Sequence, residues 1–126
     1  MTKAFFRRLP APLVALAIFV LSAQPSVPLP KGVFGADKIA HFIAYGVLAA
    51  AIALWPSRGA WRARPFRTAI LVFALAALYG ATDEFHQSFV PGRDMSAYDL
   101  LADAIGAALG ATGGAAVSSF VGRVRA

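Results

Sequence analysis

Residues 83–103, DEFHQSFVPGRDMSAYDLLAD, hold five of the six acidic residues of this 126-residue chain, one of its two histidines and a single arginine. The stretch lies between an apolar run ending at Thr82 and an Ala- and Gly-rich run starting near Tyr98. Ionisable groups at membrane depth are costly, so a group of them must either sit in water or pair around something. Working outward, the rest of the chain is largely Ala, Leu, Val, Ile and Phe: 59% of residues are hydrophobic, 14% are charged and the mean hydropathy is +0.66. Soluble domains average about 25% charged residues, and a chain this short leaves much of its surface exposed. Lipid, more than water, is therefore the expected solvent, and 1–126 reads as a single domain.

Apolar runs at about 9–24, 38–55, 66–82 and 98–121 predict an all-α polytopic integral membrane protein, a four-transmembrane-helix bundle. The three prolines of QPSVPLPKG close the first run, and Pro56 closes the second. The first run has the basic start of a signal peptide, but Leu21 stands where a cleavage site needs a small residue, so an uncleaved span is expected.

The net charge is +6. Lys3, Arg7 and Arg8, then Arg58, Arg62, Arg64 and Arg67, then Arg123 and Arg125 flank apolar runs and form no basic face. That distribution argues against nucleic acid as a partner and for membrane lipids, with both termini and the Arg58–Arg67 loop cytoplasmic. All six acidic residues and both histidines, His41 and His86, then fall at the opposite, outer side. No cysteine is present, which excludes disulfides and thiolate metal sites.

Helical spacing groups the polar residues further. Asp37, His41 and Tyr45 follow at four-residue steps, Tyr79, Asp83 and His86 share a face if the third helix passes Thr82, and Glu84 pairs with Gln87. Asp99 and Asp103 lead into Gly106, Gly110 and Gly114, glycines spaced to let a neighbouring helix approach closely. Pro91-Gly92 marks a turn, from which Arg93 emerges with a guanidinium suited to carboxylates or phosphates. Two like charges at i,i+4, Asp99 and Asp103, call for a cation, shared proton or ligand, with Arg93, His41, Lys38 and His86 as available partners.

DKIAHFIAYGVLA and DEFHQSFVPGRDMSAYDLLADAIGAALG together resemble the VanZ-like family of small bacterial membrane proteins, over roughly 37–110. Asp37-Lys38 with His41, Glu84 with Gln87, Pro91-Gly92-Arg93, and Asp99 with Gly106 fit the family pattern; at position 103 that pattern leads one to expect Asn, and this chain has Asp103. The resemblance implies a multi-pass protein of the bacterial inner membrane and cell envelope, related to susceptibility to the glycopeptide teicoplanin, an antibiotic-resistance role. The expected binding site is Asp37, His41, Glu84, Gln87, Arg93, Asp99 and Asp103, facing a lipid headgroup, a lipid-linked precursor or a glycopeptide.

Other chemistry is less well supported. An enzyme acting on a lipid-linked substrate would use Glu84 or His86 as acid–base group, but no nucleophile elbow or phosphatase-like triad surrounds Ser88 or Ser96. No cofactor and no metal is expected; the weak candidates as ligands are Asp37, His41, Asp83 and His86. A third reading is a structural subunit whose polar cluster only locks helix ends. Trp55 and Trp61 read as interface anchors.

Overall fold

The computed structural model describes residues 3–30 and 32–124, with side chains over 5–30 and 32–117. The side chains of Lys3, Arg123 and Arg125, which belong to the charge pattern, lie outside those ranges.

Every regular element among the described residues is a helix: α1 (Lys3–Arg8), α2 (Pro10–Ser22), α3 (Ala36–Ile52), α4 (Arg58–Ala63), α5 (Pro65–Gln87) and α6 (Ala97–Val124). The boundaries follow local chemistry. Pro10 and Pro65 occupy the first turns of α2 and α5, where a missing N–H costs nothing. Gly35 precedes α3 with φ +70°, a left-handed conformation that favours glycine. The Ser57 hydroxyl accepts the Ala60 N–H at 3.1 Å and caps α4. That cap turns part of the basic connection, read from sequence as a loop, into a short helix.

Three helical segments among the described residues are long and apolar enough to cross a membrane: Phe5–Ser22, Pro65–Gln87 and Ala97–Val117. They bury only 17–22% of their windows within the protein, and Leu13, Leu16, Leu71, Leu78, Leu101 and Leu109 point outward. A surface so rich in exposed leucine calls for lipid. α3 is shorter, at 17 residues, which gives roughly 26 Å of rise.

α3 is nevertheless the centre of the fold, packing on α2, α5 and α6, with α6 as its closest partner. The α3–α6 contact is backbone against backbone. A Cβ added to Gly106 would meet the Phe42 carbonyl, and one on Gly110 would lie 2.8 Å from Ala49 Cβ and 3.0 Å from Ala50 N. One on Gly114 would collide with Ala53. Gly106, Gly110 and Gly114 thus face a helix of the same chain. Around this seam Tyr45, Leu48, Val72, Ala76, Ala107 and Ala111 form the buried core.

Trp61 is inside the protein instead of at its boundary. It is 4% exposed and its Nε1–H donates to the Ala53 carbonyl at 3.2 Å, because α4 folds back over the ends of α3 and α6. Trp55 keeps a partly exposed ring and donates to the Arg8 carbonyl at 3.1 Å, tying α1 to the end of α3. Trp61→Phe should leave the Ala53 carbonyl unpaired and lower stability by about 1 kcal/mol, read as a reduced thermal midpoint in detergent.

Candidate functional site

The helix α5 continues five residues past Thr82, and this extension builds the site. Apolar character stops at Thr82, but Asp83-Glu84-Phe85-His86-Gln87 still turns as a helix, so its polar side chains project along different faces. Asp83 and Gln87 share one face at i,i+4; Glu84 lies about 100° round the helix from Asp83 and meets α3 and α6. Two hydrogen-bonded groups result, both at the end of the bundle that carries the α5–α6 connection.

The first joins α3, α5 and α6. His41 Nδ1 lies 2.9 Å from Asp103 Oδ1 and 3.7 Å from Glu84 Oε1. Lys38 Nζ reaches Asp99 Oδ1 at 2.7 Å and Asp37 Oδ2 at 2.6 Å. Glu84 is 1% exposed and Asp103 0%, a degree of burial that carboxylates tolerate only when paired. Glu84 Oε1 and Asp103 Oδ2 nonetheless have no hydrogen-bond donor. Asp37, on the exposed rim, is held below the usual aspartate range by its hydrogen bond from the Lys38 ammonium.

The start of α6 is closed in an unusual way. Ser96 Oγ accepts the Asp99 N–H at 3.3 Å, as an N-cap serine does. In a capping box the acidic residue at the third helical position would return to the Ser96 N–H. Here Glu84 of α5 accepts that N–H at 2.9 Å, which leaves the Asp99 carboxylate free for Lys38.

The second group joins α2, α5 and the Pro91-Gly92 turn. Ser22 Oγ donates to Asp83 Oδ2 at 2.7 Å, Gln87 Nε2 donates to the same oxygen at 3.1 Å, and Arg93 Nη2 donates to Gln87 Oε1. Among the described residues, no carboxylate lies within ion-pairing distance of Arg93. The cation paired with carboxylates is Lys38, so Arg93 does not balance the acidic residues as the sequence suggested.

A cavity of about 110 Å³ opens beside both groups. Ile18, Leu21, Val27 and Leu29 line one side, while Asp37, His41, Asp83 and Arg93 contribute the polar side. Neither Glu84 nor His86 lines it.

The predicted residues therefore divide. His41, Glu84, Asp99 and Asp103 come together; Gln87 and Arg93 belong to the second group; Asp37 is attached to the first through Lys38. His86 stands apart: it stacks on Phe19 with ring centroids 4.8 Å apart. The four side chains considered as metal ligands from spacing do not converge, since Asp83 faces Ser22 and His86 faces Phe19. Instead His41, Glu84 and Asp99 place donor atoms within 4.8 Å of one another. The Tyr79 hydroxyl donates to the Ala15 carbonyl at 2.6 Å instead of to Asp83.

Sequence reasoning missed Ser22, Ser96, Gly80 and the centrality of Lys38. The pattern Ser96-x-x-Asp99 is an N-cap signature that could have found Ser96. Gly80 makes room where α5 meets the cluster: a Cβ there would lie 3.1 Å from Asp103 Oδ2 and 3.2 Å from the Tyr45 ring. Nothing local to Ser22 signals its pairing with Asp83, 61 residues away.

Apolar-surfaced helices packed on a short central helix, with buried carboxylates, a part-buried histidine and a half-exposed lysine at one end, define a helical membrane protein with an internal polar site. The sequence model of the VanZ/LLP1 family matches residues 4–117, nearly the whole chain and every residue of the site. The chain belongs to that family. No curated protein and no solved structure matches it.

Proposed function

We propose that this VanZ/LLP1 protein lies in the bacterial inner membrane as four spans with both termini cytoplasmic, and that its outer end holds the anionic headgroup of a lipid-linked envelope ligand. The observation that carries this reading is Arg93, a guanidinium that lines an amphipathic cavity and is anchored by Gln87 with no carboxylate partner among the described residues. A fixed guanidinium with unused donors suits a phosphate. The apolar side, Ile18, Leu21, Val27 and Leu29, suits the first methylenes of an acyl or prenyl chain.

Size narrows the ligand. Pockets for drug-sized molecules run to about 300–1,000 Å³, whereas about 110 Å³ fits a phosphate group better than a whole glycopeptide. Any relation to teicoplanin susceptibility would then run through a lipid-linked precursor, not through the antibiotic. The distribution of basic residues supports the orientation, and α3, though short, is extended by the turn at Ala53–Trp55.

The test compares Arg93→Ala with Arg93→Lys in cells, with protein level, teicoplanin susceptibility and co-purified lipids measured together. Arg93→Ala should keep the protein level, lose the co-purifying phospholipid or prenyl phosphate by at least about tenfold, and shift susceptibility; Arg93→Lys should fall between it and wild type. Unchanged lipid content in Arg93→Ala would sink the headgroup reading. A lowered protein level alone would favour the structural-subunit reading.

A second reading has one observation in its favour. His41 reaches the cavity and is oriented from behind by Asp103 at 2.9 Å, the arrangement of a general base with its positioning carboxylate. It makes His41, not Glu84 or His86, the acid–base group of a lipid-linked substrate. Turnover of such a substrate by the purified protein decides between binding and catalysis.

A further inference from the structure

We propose that His41, Glu84 and Asp99, backed by Asp103, form a site for one divalent first-row cation, Zn²⁺ or Mn²⁺. This site is independent of the headgroup reading and shares only His41 with the residues that spacing along the chain would select.

Geometry comes first. Three helices, α3, α5 and α6, each contribute a donor, and the three donor atoms lie within 4.8 Å of one another. With metal–ligand bonds of about 2.1 Å, donors around one ion stand about 3.0 Å apart at a right angle and about 3.4 Å apart at a tetrahedral angle. His41 Nδ1 is 2.9 Å from Asp103 Oδ1 and 3.7 Å from Glu84 Oε1. Glu84 thus stands near ligand spacing from the imidazole, and Asp99, with its donor atom within 4.8 Å of both, would close in on binding.

Unmet valence is the second observation. Glu84 Oε1 and Asp103 Oδ2 belong to side chains that are 1% and 0% exposed, and neither oxygen receives a hydrogen bond. Buried acceptors are almost always satisfied, and those that are not call for an explanation. Glu84 Oε1 is aimed at His41, where an ion shared between them would satisfy it.

Charge agrees. Glu84, Asp99 and Asp103 are three carboxylates, and among the described residues Lys38 is the ammonium paired with the group, shared between Asp99 and Asp37. With His41 neutral, as a ligand must be, the three carboxylates are three negative, and with Lys38 kept by Asp37 a divalent ion offsets two of the three charges. Lys38 would act as the placeholder: it holds Asp99 Oδ1 at 2.7 Å and already reaches Asp37 at 2.6 Å, so it can release Asp99 without losing a partner.

Donor type selects the ion. One imidazole with carboxylates, and no thiolate in the chain, suits Zn²⁺ or Mn²⁺ and disfavours Cu⁺. Mg²⁺ keeps most of its waters and is poorly matched to a buried cage with an imidazole. Access exists because His41 lines the cavity.

The experiment uses the full chain in detergent with any affinity tag removed, stripped with chelator and titrated calorimetrically with ZnCl₂ and separately with MnCl₂. One equivalent should bind with at least one of the two ions, and bound Mn²⁺ should show electron-spin coupling to an imidazole nitrogen. Removing outer-shell partners of metal sites costs about 10–100-fold in affinity, so Glu84→Gln and Asp99→Asn should each lose at least about 100-fold. His86→Ala should bind as wild type does. Thermal unfolding of each variant checks that it is folded; Asp99→Asn is the gentler change, since Lys38 keeps Asp37. No saturable equivalent in the wild type would overturn the proposal. So would undiminished binding in a folded Asp99→Asn protein, or loss of binding in His86→Ala.

Discussion

Gly106→Ala is expected to abolish the folded protein, while Gly113→Ala, seven residues along the same helix, is expected to leave it intact or slightly more stable. The two substitutions add the same methyl group, and intrinsic helix propensity favours alanine at both by up to about 1 kcal/mol. They differ in what the methyl meets. At Gly113 nothing lies within 4 Å; at Gly106 the new Cβ would overlap the Phe42 carbonyl and come within 3.1 Å of Gly46 N. Those are backbone atoms of α3 and cannot turn aside as a side chain would. The helices would have to separate along a seam that also includes Gly110 and Gly114. Separation would loosen Ala107 and Ala111, both in the core, and move Asp103 away from His41. Yield of monodisperse protein and unfolding midpoint for both variants read the difference. Equal behaviour would mean that α3 and α6 are not packed this closely.

His41→Leu is the second change with a large expected effect. It removes the partner of Asp103 and the neighbour of Glu84 while both carboxylates stay buried. Leaving a buried charge unpaired costs about 3–5 kcal/mol, so the variant should be severely destabilised in an equilibrium unfolding assay in bicelles. The double variant His41→Leu with Asp103→Asn separates the causes. If uncompensated charge is the problem, removing that charge should restore a substantial part of the loss, even though a second native side chain has been altered. If lost packing around the imidazole is the problem, the double variant should be no better than the single one. Asparagine at 103, the residue suggested by the family resemblance, should alone be tolerated, since it can still accept from His41 through its amide oxygen.

Much of this arrangement was legible in the sequence, and what was not has physical causes. Hydropathy located the apolar runs but placed the end of the third at Thr82, because a hydropathy window registers where lipid contact ends, not where the backbone stops coiling. Helical periodicity brought Asp99 and Asp103 into line with the glycines, and those glycines lie against α3. Periodicity could not say which helix faces meet. The pairs Lys38 with Asp99, His41 with Asp103 and Ser22 with Asp83 bridge chain segments about 60 residues apart, and no local pattern contains them. Arg93 was read as a counter-ion because carboxylates surround it in sequence; in space Gln87 takes its hydrogen bond and Lys38 takes the carboxylate. The tryptophans looked alike at the ends of apolar runs, yet α4, capped by Ser57, carries Trp61 inward.

The bond from the Ser96 N–H to Glu84 has a consequence for how the chain folds. Ser96 opens α6, and the group that completes its first turn comes from the last turn of α5. A helix closed by its neighbour cannot finish its own end until that neighbour is beside it, so α5 and α6 reach their final form together, as a hairpin. The hairpin of α5 and α6, with the Pro91-Gly92 turn between its arms, is thus closed by a bond that neither helix can make alone.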